Sequence, residues 1–185
     1  MNVKVIISFV LCLSLFGLFV YVLPHEQDNK SDFNNEFLRV HIRANSNDTI
    51  DQEVKYKVKD AIVQFLTPLL CNVTDKQSAM QIVANNLSNI ESVANTVLRT
   101  EGFCYTSNAS LKTEEFPTRT YQDLTLPSGV YDSLIVNLGT GTGNNWWCVV
   151  YPPLCFVNTD NSSNVTYKSK LVEIINSFWR KYDAK

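Results

Sequence analysis

The side chains best suited to chemistry in this chain are its cysteines and histidines. Four of its five cysteines, Cys71, Cys104, Cys148 and Cys155, lie beyond the apolar amino-terminal segment. They have no C-x2-C spacing and no histidine pair beside them, so a zinc site would have to use all four. An even number of cysteines instead favours disulfides if the domain is exported, and the short loop between Cys148 and Cys155 makes these two the candidate pair. A free thiol beside His41 would be the alternative, an exported thiol hydrolase.

Other catalytic patterns are missing from the sequence. There is no G-x-S-x-G and no H-E-x-x-H motif. Glu114 and Glu115 are adjacent in a segment expected to be a loop, where their side chains diverge, so they form a poor acid and base pair. Residues 139–145 are rich in glycine but lack the lysine and spacing of a phosphate-binding loop, which predicts a hairpin turn instead. We therefore expect no enzymatic activity and no cofactor.

Three cationic side chains lie near the start of the predicted domain. Arg39, His41 and Arg43 alternate with apolar residues between Leu38 and Ala44. A period of two predicts a strand with one buried face and one cationic face. The cationic face is either a solvated sheet surface or a docking stripe for an acidic partner.

The densest group of aromatic residues lies between residues 146 and 156. Adjacent residues of a strand point to opposite faces, so either Trp146 or Trp147 must point away from the core. An outward tryptophan beside a rigid Pro-Pro segment is typical of a binding hot spot, although large rings also serve as simple core packing. The candidate contact residues of this block are Trp146, Trp147, Tyr151, Pro152, Pro153 and Phe156.

The composition limits the class of protein. The chain has 185 residues, of which 45% are hydrophobic, and a formal net charge of -2. This length suits one domain with a real core. The acidic balance gives no electrostatic footprint for nucleic acid, so we expect no nucleic-acid partner.

The amino-terminal residues predict an export signal. Residues 5–23 carry no charged side chain, and this stretch nearly spans a bilayer core. Lys4 precedes it and acidic residues follow, which places the amino terminus inside and the rest outside. We expect a signal-anchor or signal peptide at residues 1–24, a flexible linker at 25–36 and one extracytoplasmic domain at 37–185; the missing small-residue cleavage site favours an uncleaved anchor.

The remaining pattern predicts an α+β fold with an antiparallel sheet. Capping boxes at Thr49 and Thr74 open two consecutive helices after the first strand, which end near Pro68 and at Gly102. Four predicted strands follow, at residues 103–111, 121–126, 131–138 and 146–151. A carboxyl-terminal helix at residues 164–182 either closes the domain or lies on a membrane or partner as a basic amphipathic helix.

Four segments of the sequence resemble one family. Together they fall in residues 37–158 and read LRVHIRANS at residues 38–46, FPTRTY at 116–121, PSGVY at 127–131 and GNNWWCVVYPPLCF at 143–156. In this order they resemble the stage II sporulation protein R family, and the last segment is the most specific.

The resemblance implies a signalling role. Members of that family are exported proteins of endospore-forming bacteria, which pass from the forespore into the space between the two membranes. There they activate a membrane-embedded aspartic protease of the mother cell, stage II sporulation protein GA, which cleaves the precursor of the sigma-E transcription factor. On this basis the partner-binding hypothesis falls on Arg39, His41, Arg43, Arg119 and the block from Trp146 to Phe156, unless these motifs mark the architecture of the fold instead.

A second class of function remains open at this point. Asparagines in N-x-S/T triplets, as in a secreted glycoprotein or binding module unrelated to sporulation, occur at Asn47, Asn72, Asn86, Asn108, Asn161 and Asn164. A chain rich in asparagine, serine and threonine produces such triplets by chance, so they do not decide the class.

Overall fold

A four-stranded sheet covered by three helices on one face forms the folded domain. The computed structural model describes residues 34–121 and 124–154. In these residues the elements follow in the order β1 (Leu38–Arg43), α1 (Thr49–Leu70), α2 (Lys76–Asn85), α3 (Leu87–Thr100), β2 (Ser107–Phe116), β3 (Arg119–Tyr121), β4 (Leu124–Leu126), β5 (Gly129–Leu138) and β6 (Asn145–Tyr151). The predicted α+β class is confirmed.

The sheet is mixed, so the prediction of an antiparallel sheet is wrong. Its strand order is β2-β5-β1-β6, while β3 and β4 form a separate two-stranded hairpin. Strand β1 runs parallel to β5 and antiparallel to β6. The parallel pair is possible because three helices and β2 lie between β1 and β5 in the chain, a connection long enough to bring β5 back in the same direction.

The glycine-rich segment after β5 crosses the end of β1. Strands β5 and β6 pair with opposite sides of β1, so residues 139–144 cannot form the predicted hairpin turn. The local signals of a turn are present, but they do not reveal that a third strand lies between the two strands that the turn connects.

The helices begin and end close to their predicted limits, with one interruption. Helix α1 continues to Leu70 with Pro68 inside it. The second predicted helix is divided into α2 and α3 at Asn86, whose side-chain amide donates a hydrogen bond to the Ile82 carbonyl oxygen at 2.8 Å. An asparagine that bonds to the backbone in this way competes with the helical pattern. The cap of α2 is Asp75, which accepts from the Ser78 amide, and not the predicted Thr74.

The main core lies between the helices and one face of the sheet. Alternate residues of the strands contribute Leu38, Val40, Ile42, Leu134, Val136, Leu138 and Val150, and the helices contribute Val58, Ile62, Leu66, Ile90, Ala94 and Leu98. These positions follow the predicted periods of two and of three to four. Burial of this apolar surface is the main source of stability of the domain.

Several predictions fall on residues outside the described part of the chain. They are the signal segment at residues 1–24, most of the linker, Cys155, Phe156 and the helix at residues 164–182. Among the residues that are described, no helix combines the length and the apolar character that a membrane crossing needs.

Candidate functional site

The sheet face opposite the helices carries an aromatic cluster. Its buried residues are Phe37, Phe116, Leu126, Tyr131 and Val149, and Tyr121, Trp147 and Leu154 pack against them. The β3–β4 hairpin and the ends of β2 and β5 bring these side chains over β1. Both faces of β1 are therefore covered, and the prediction of an exposed cationic face is wrong for Arg39 and His41, which are buried.

Arg39 is a buried cation without a carboxylate partner among the described residues. Its guanidinium carbon lies 4.2 Å from the ring centroid of Phe116 and 4.8 Å from that of Tyr131. Its Nη2 donates to the Tyr121 hydroxyl at 2.9 Å, while Nε and Nη1 have no hydrogen-bond partner in the described structure. Burial lowers the pKa of Arg39, yet an arginine stays charged in proteins. Aromatic rings therefore hold this positive charge.

His41 bridges the aromatic cluster and a carboxylate. Its Nδ1 lies 2.7 Å from a Glu114 oxygen, and its ring stacks on Trp147 with 3.6 Å between centroids. The other Glu114 oxygen accepts from Arg43. Burial lowers the pKa of His41, although hydrogen bonds to Glu114 and Asn145 raise it. The ring is thus neutral near pH 7 and donates Nδ1–H to the carboxylate.

Glu114 has a different setting from the one expected. It belongs to β2, so its side chain and that of Glu115 point to opposite faces of a strand and not into a loop. Because both Glu114 oxygens are engaged, this carboxylate orients His41 and Arg43. Sequence reasoning missed this role, although two cations on a buried strand would have indicated that a partner was needed.

Cys148 does not form the arrangement of a thiol hydrolase with His41. Cys148 packs in the main core on the helix side, whereas His41 lies on the opposite face of the sheet. Cys71 is a buried free thiol and Cys104 an exposed one. The general expectation of disulfides in an exported domain therefore does not extend to these two, and the pairing of Cys148 with Cys155 stays a prediction. No group of three or more His, Cys, Asp or Glu side chains that could hold a metal occurs in the described residues.

The two tryptophans divide between the faces of the sheet. Trp147 joins the aromatic cluster, and Trp146 packs against the main core, where the Lys59 amine lies 5.8 Å from its ring centroid. Both rings are partly exposed. Trp147 thus points away from the main core, but it packs in a second core, because each sheet face has its own.

The part of the predicted contact block around its two prolines is buried inside the domain. Tyr151, Pro152 and Pro153 are all buried, and the Tyr151–Pro152 peptide bond is cis. Burial raises the pKa of Tyr151 to about 12. These residues therefore contribute to packing in the described structure, and the predicted contact Phe156 is not described.

Arg119 and Tyr121 form the accessible margin of the aromatic cluster. They are two residues apart in β3 and so share a face of the hairpin, opposite Leu126 and Leu124. Leu126 on that face is fully buried, Tyr121 is half-buried, and Arg119 is exposed. This face of the hairpin thus leads from solvent to the buried Arg39 guanidinium.

A polar network, which sequence reasoning missed, fastens the glycine-rich segment to the start of α1. Asp51 accepts from Asn45 Nδ2 at 2.8 Å and from the Tyr105 hydroxyl at 2.5 Å. Asn45 Oδ1 accepts from the Thr140 amide at 3.0 Å, and the buried Lys55 donates to the Asn144 carbonyl oxygen at 3.0 Å. Except for Asn45 and Asp51, these partners are far apart in the chain, so no local pattern could have linked them.

Comparison with known proteins identifies the family of the chain. The family model described as stage II sporulation protein R matches residues 34–161. Stage II sporulation protein R of Bacillus subtilis (strain 168) is 31% identical over 170 residues, which cover 89% of this chain and 76% of that protein. No solved structure matches the chain. Since the family match includes every strand and helix described above, the chain belongs to the stage II sporulation protein R family.

Proposed function

We propose that the chain is an exported signalling protein of sporulation, which activates the membrane-embedded aspartic protease that cleaves the sigma-E precursor. Membership of the stage II sporulation protein R family carries this proposal, because the match spans residues 34–161. The family name supports a role in sporulation. The identity of the protease and its activation are inferred from what is known of that family.

The proposed contact surface consists of the predicted contacts that reach solvent, with Trp147 and Arg119 at the aromatic cluster and Trp146 on the helix side of the sheet. Arg119 is exposed, and Arg43, Trp146 and Trp147 are partly exposed. These four residues are the predicted contacts that a partner can reach without rearrangement. Among the buried predicted contacts, Arg39 contacts Tyr121 and His41 stacks on Trp147. Tyr151 packs in the main core, and Pro152 and Pro153, which follow it in the chain, are also buried.

The surroundings of His41 and Glu114 favour a role in recognition over a role in catalysis. The His41–Glu114 pair has the form of a base with its orienting carboxylate, but its ring is 1% exposed. Trp147 covers one side of the ring and Phe116 meets it edge-on. A general base has to reach the proton that it abstracts, so this pair is better suited to orienting side chains. We propose that the protein is not an enzyme.

The proposed location is outside the cytoplasmic membrane. The uncharged stretch at residues 5–23 supports export or anchoring, and the signal is then delivered in the space between forespore and mother cell. The membrane itself is a partner only through this segment.

Reconstitution in a non-sporulating cell tests the proposal. The full chain is produced together with the protease and the sigma-E precursor, and precursor cleavage is followed by immunoblot. We expect cleavage with the full chain and none with a version that lacks residues 1–24 and stays in the cytoplasm. Equal cleavage with the retained version, or without any chain, would show that no exported ligand is needed.

Paired variants separate contact from architecture. Arg119→Ala should lower cleavage while the melting temperature stays unchanged, because this side chain is exposed. Trp147→Ala should also lower the free energy of unfolding, by about 2–3 kcal/mol, since the ring packs on His41 and Phe116. Arg99→Ala, another exposed arginine, is the matched control. If every variant that loses cleavage also loses stability, the motif serves the fold and not the contact.

A further inference from the structure

Arg119, Tyr121 and Arg39 lie one behind another from the surface to the interior. In the described residues, no acidic side chain pairs with either arginine. Arg119 lies at the surface, Tyr121 follows on the same face of β3, and Arg39 lies fully buried behind Tyr121. The Tyr121 hydroxyl accepts its hydrogen bond from Arg39 at 2.9 Å. Because Tyr121 is partly exposed and its hydroxyl oxygen accepts this bond, its own proton can be donated to a second acceptor.

Two carboxylates of the sheet, Glu114 and Asp132, have other partners. Glu114 binds His41 and Arg43. Asp132 binds Lys76 of α2, on the helix side of the domain. The groups that act electrostatically on Arg39 are Tyr121, Tyr131 and Arg119, and the last of these lowers its pKa through like-charge repulsion.

An uncompensated guanidinium in a protein interior is costly. Removing an arginine from water costs several kcal/mol unless a partner charge compensates it. Arg39 recovers part of that cost from the rings of Phe116 and Tyr131, but two of its nitrogens still lack an acceptor in the described structure. A carboxylate at the Tyr121 hydroxyl would relieve both the unpaired charge and the repulsion from Arg119.

We propose that the Arg119 guanidinium and the Tyr121 hydroxyl, backed by the buried Arg39, form a docking site for a carboxylate side chain of the partner protein. The inference rests on the proposed function and adds to it the chemistry that the partner presents. Arg119 supplies a charged donor at the rim, and Tyr121 supplies a neutral donor that the charge behind it polarises. Arg39 acts as a positioning residue and does not touch the ligand.

Two substitutions remove the donors with little change in shape. Tyr121→Phe deletes only the hydroxyl and keeps the ring near Arg39, and Arg119→Glu reverses the charge at the rim. Tyr56→Phe and Arg99→Glu make the same chemical changes at exposed positions on the helices and serve as controls. Thermal melting of each full-length variant establishes that it folds.

The first measurement is dose-dependent cleavage of the sigma-E precursor in the reconstituted cell. We expect Arg119→Glu and Tyr121→Phe each to need roughly tenfold more chain for half-maximal cleavage, as for the loss of a hydrogen bond to a charged group. The controls should stay within about twofold of the unaltered chain. A lysine that replaces one acidic residue of the partner and restores activity to Arg119→Glu would support the site directly.

The second measurement does not depend on the protease. The purified full-length chain, in detergent, is titrated with hexaglutamate while tryptophan fluorescence is followed. Binding that weakens roughly tenfold in both variants, but not in the controls, supports the site. Unchanged binding in both variants would overturn it, as would binding to anionic phospholipid vesicles without binding to hexaglutamate. If hexaglutamate binding behaves as expected but the unaltered chain elicits no cleavage, the proposed function fails and the carboxylate site stands.

Discussion

Replacing Gly143 by alanine should test the path of the segment that crosses β1. A Cβ atom at this position would overlap the carbonyl oxygen of Ser46, lie 2.5 Å from its carbonyl carbon and approach Ala44 Cβ at 3.0 Å. The obstacle is the backbone that follows β1, which cannot move aside as a flexible side chain does. The crossing segment has to lift away instead.

The size of the effect follows from the hydrogen bonds that such a shift would break. The Gly143 amide donates to the Ala44 carbonyl oxygen at 2.9 Å, the Thr142 hydroxyl donates to the Asn45 carbonyl oxygen at 2.9 Å, and the Asn144 amide donates to Asn47 Oδ1 at 2.7 Å. At a net value of about 1 kcal/mol for each bond, their loss costs about 3 kcal/mol.

Gly102 provides the matched control. It follows α3 with a φ of +83°, and a Cβ there would meet nothing within 4 Å. Gly102→Ala therefore carries only the cost of a left-handed backbone conformation, about 1–2 kcal/mol. The two variants place the same methyl group in a crowded and in an open position.

Urea denaturation followed by tryptophan fluorescence measures the loss in free energy of unfolding of both variants. The comparison holds if the m-value of each variant equals that of the unaltered chain. In a domain of this size 1 kcal/mol corresponds to about 2–4 °C, so Gly143→Ala should lower the melting temperature by about 6–12 °C. Gly102→Ala should lower it by no more than about 8 °C. Equal stability losses, or a larger loss for Gly102→Ala, would refute the argument that the segment after β5 lies against the end of β1.

Three further outcomes follow from individual side chains. Because burial lowers the pKa of His41 from 6.5, the unfolded chain binds more protons in acid, so the free energy of unfolding should fall as the pH drops below about 6.5. His41→Gln should flatten this dependence in urea titrations at several pH values, and an unchanged slope would assign it to other groups. A maleimide should label Cys104 in the native protein and Cys71 only after unfolding, as read by mass spectrometry; equal labelling rates would contradict their exposures. Tyr105→Phe removes a hydrogen bond to the Asp51 carboxylate and should cost about 2 kcal/mol in the same denaturation assay, whereas no loss would mean that water replaces the hydroxyl.

Most secondary structure could be predicted from the chain because its signals are local. Strand β1 follows from the alternation around Val40, and α1 and α3 follow from apolar spacing on one helix face. The division at Asn86 was missed because an asparagine that bonds back to Ile82 looks like any polar residue on a helix surface. The limits of β2 shifted because its pairing with β5 outweighs the aromatic content of residues 103–106.

The candidate site was predicted in part. The sequence motifs drew attention to Arg39, His41, Arg119 and Trp147, and the structure brings all four to the same aromatic cluster or its margin. Their exposure could not be predicted, because it depends on what covers the outer face of the sheet. That cover comes from the β3–β4 hairpin and from the ends of β2 and β5, which are distant in the chain.

The amino-acid sequence by itself determined the class of fold, the positions of most elements and the family. These depend on the period of apolar residues and on short motifs, which a single chain displays directly. The tertiary structure alone decided that β5 runs parallel to β1, that the glycine-rich segment crosses β1, and that Arg39 is buried without an acid among the described residues. Each of these depends on which distant segments pack together, because burial and pairing are set by the whole domain and not by neighbours in sequence.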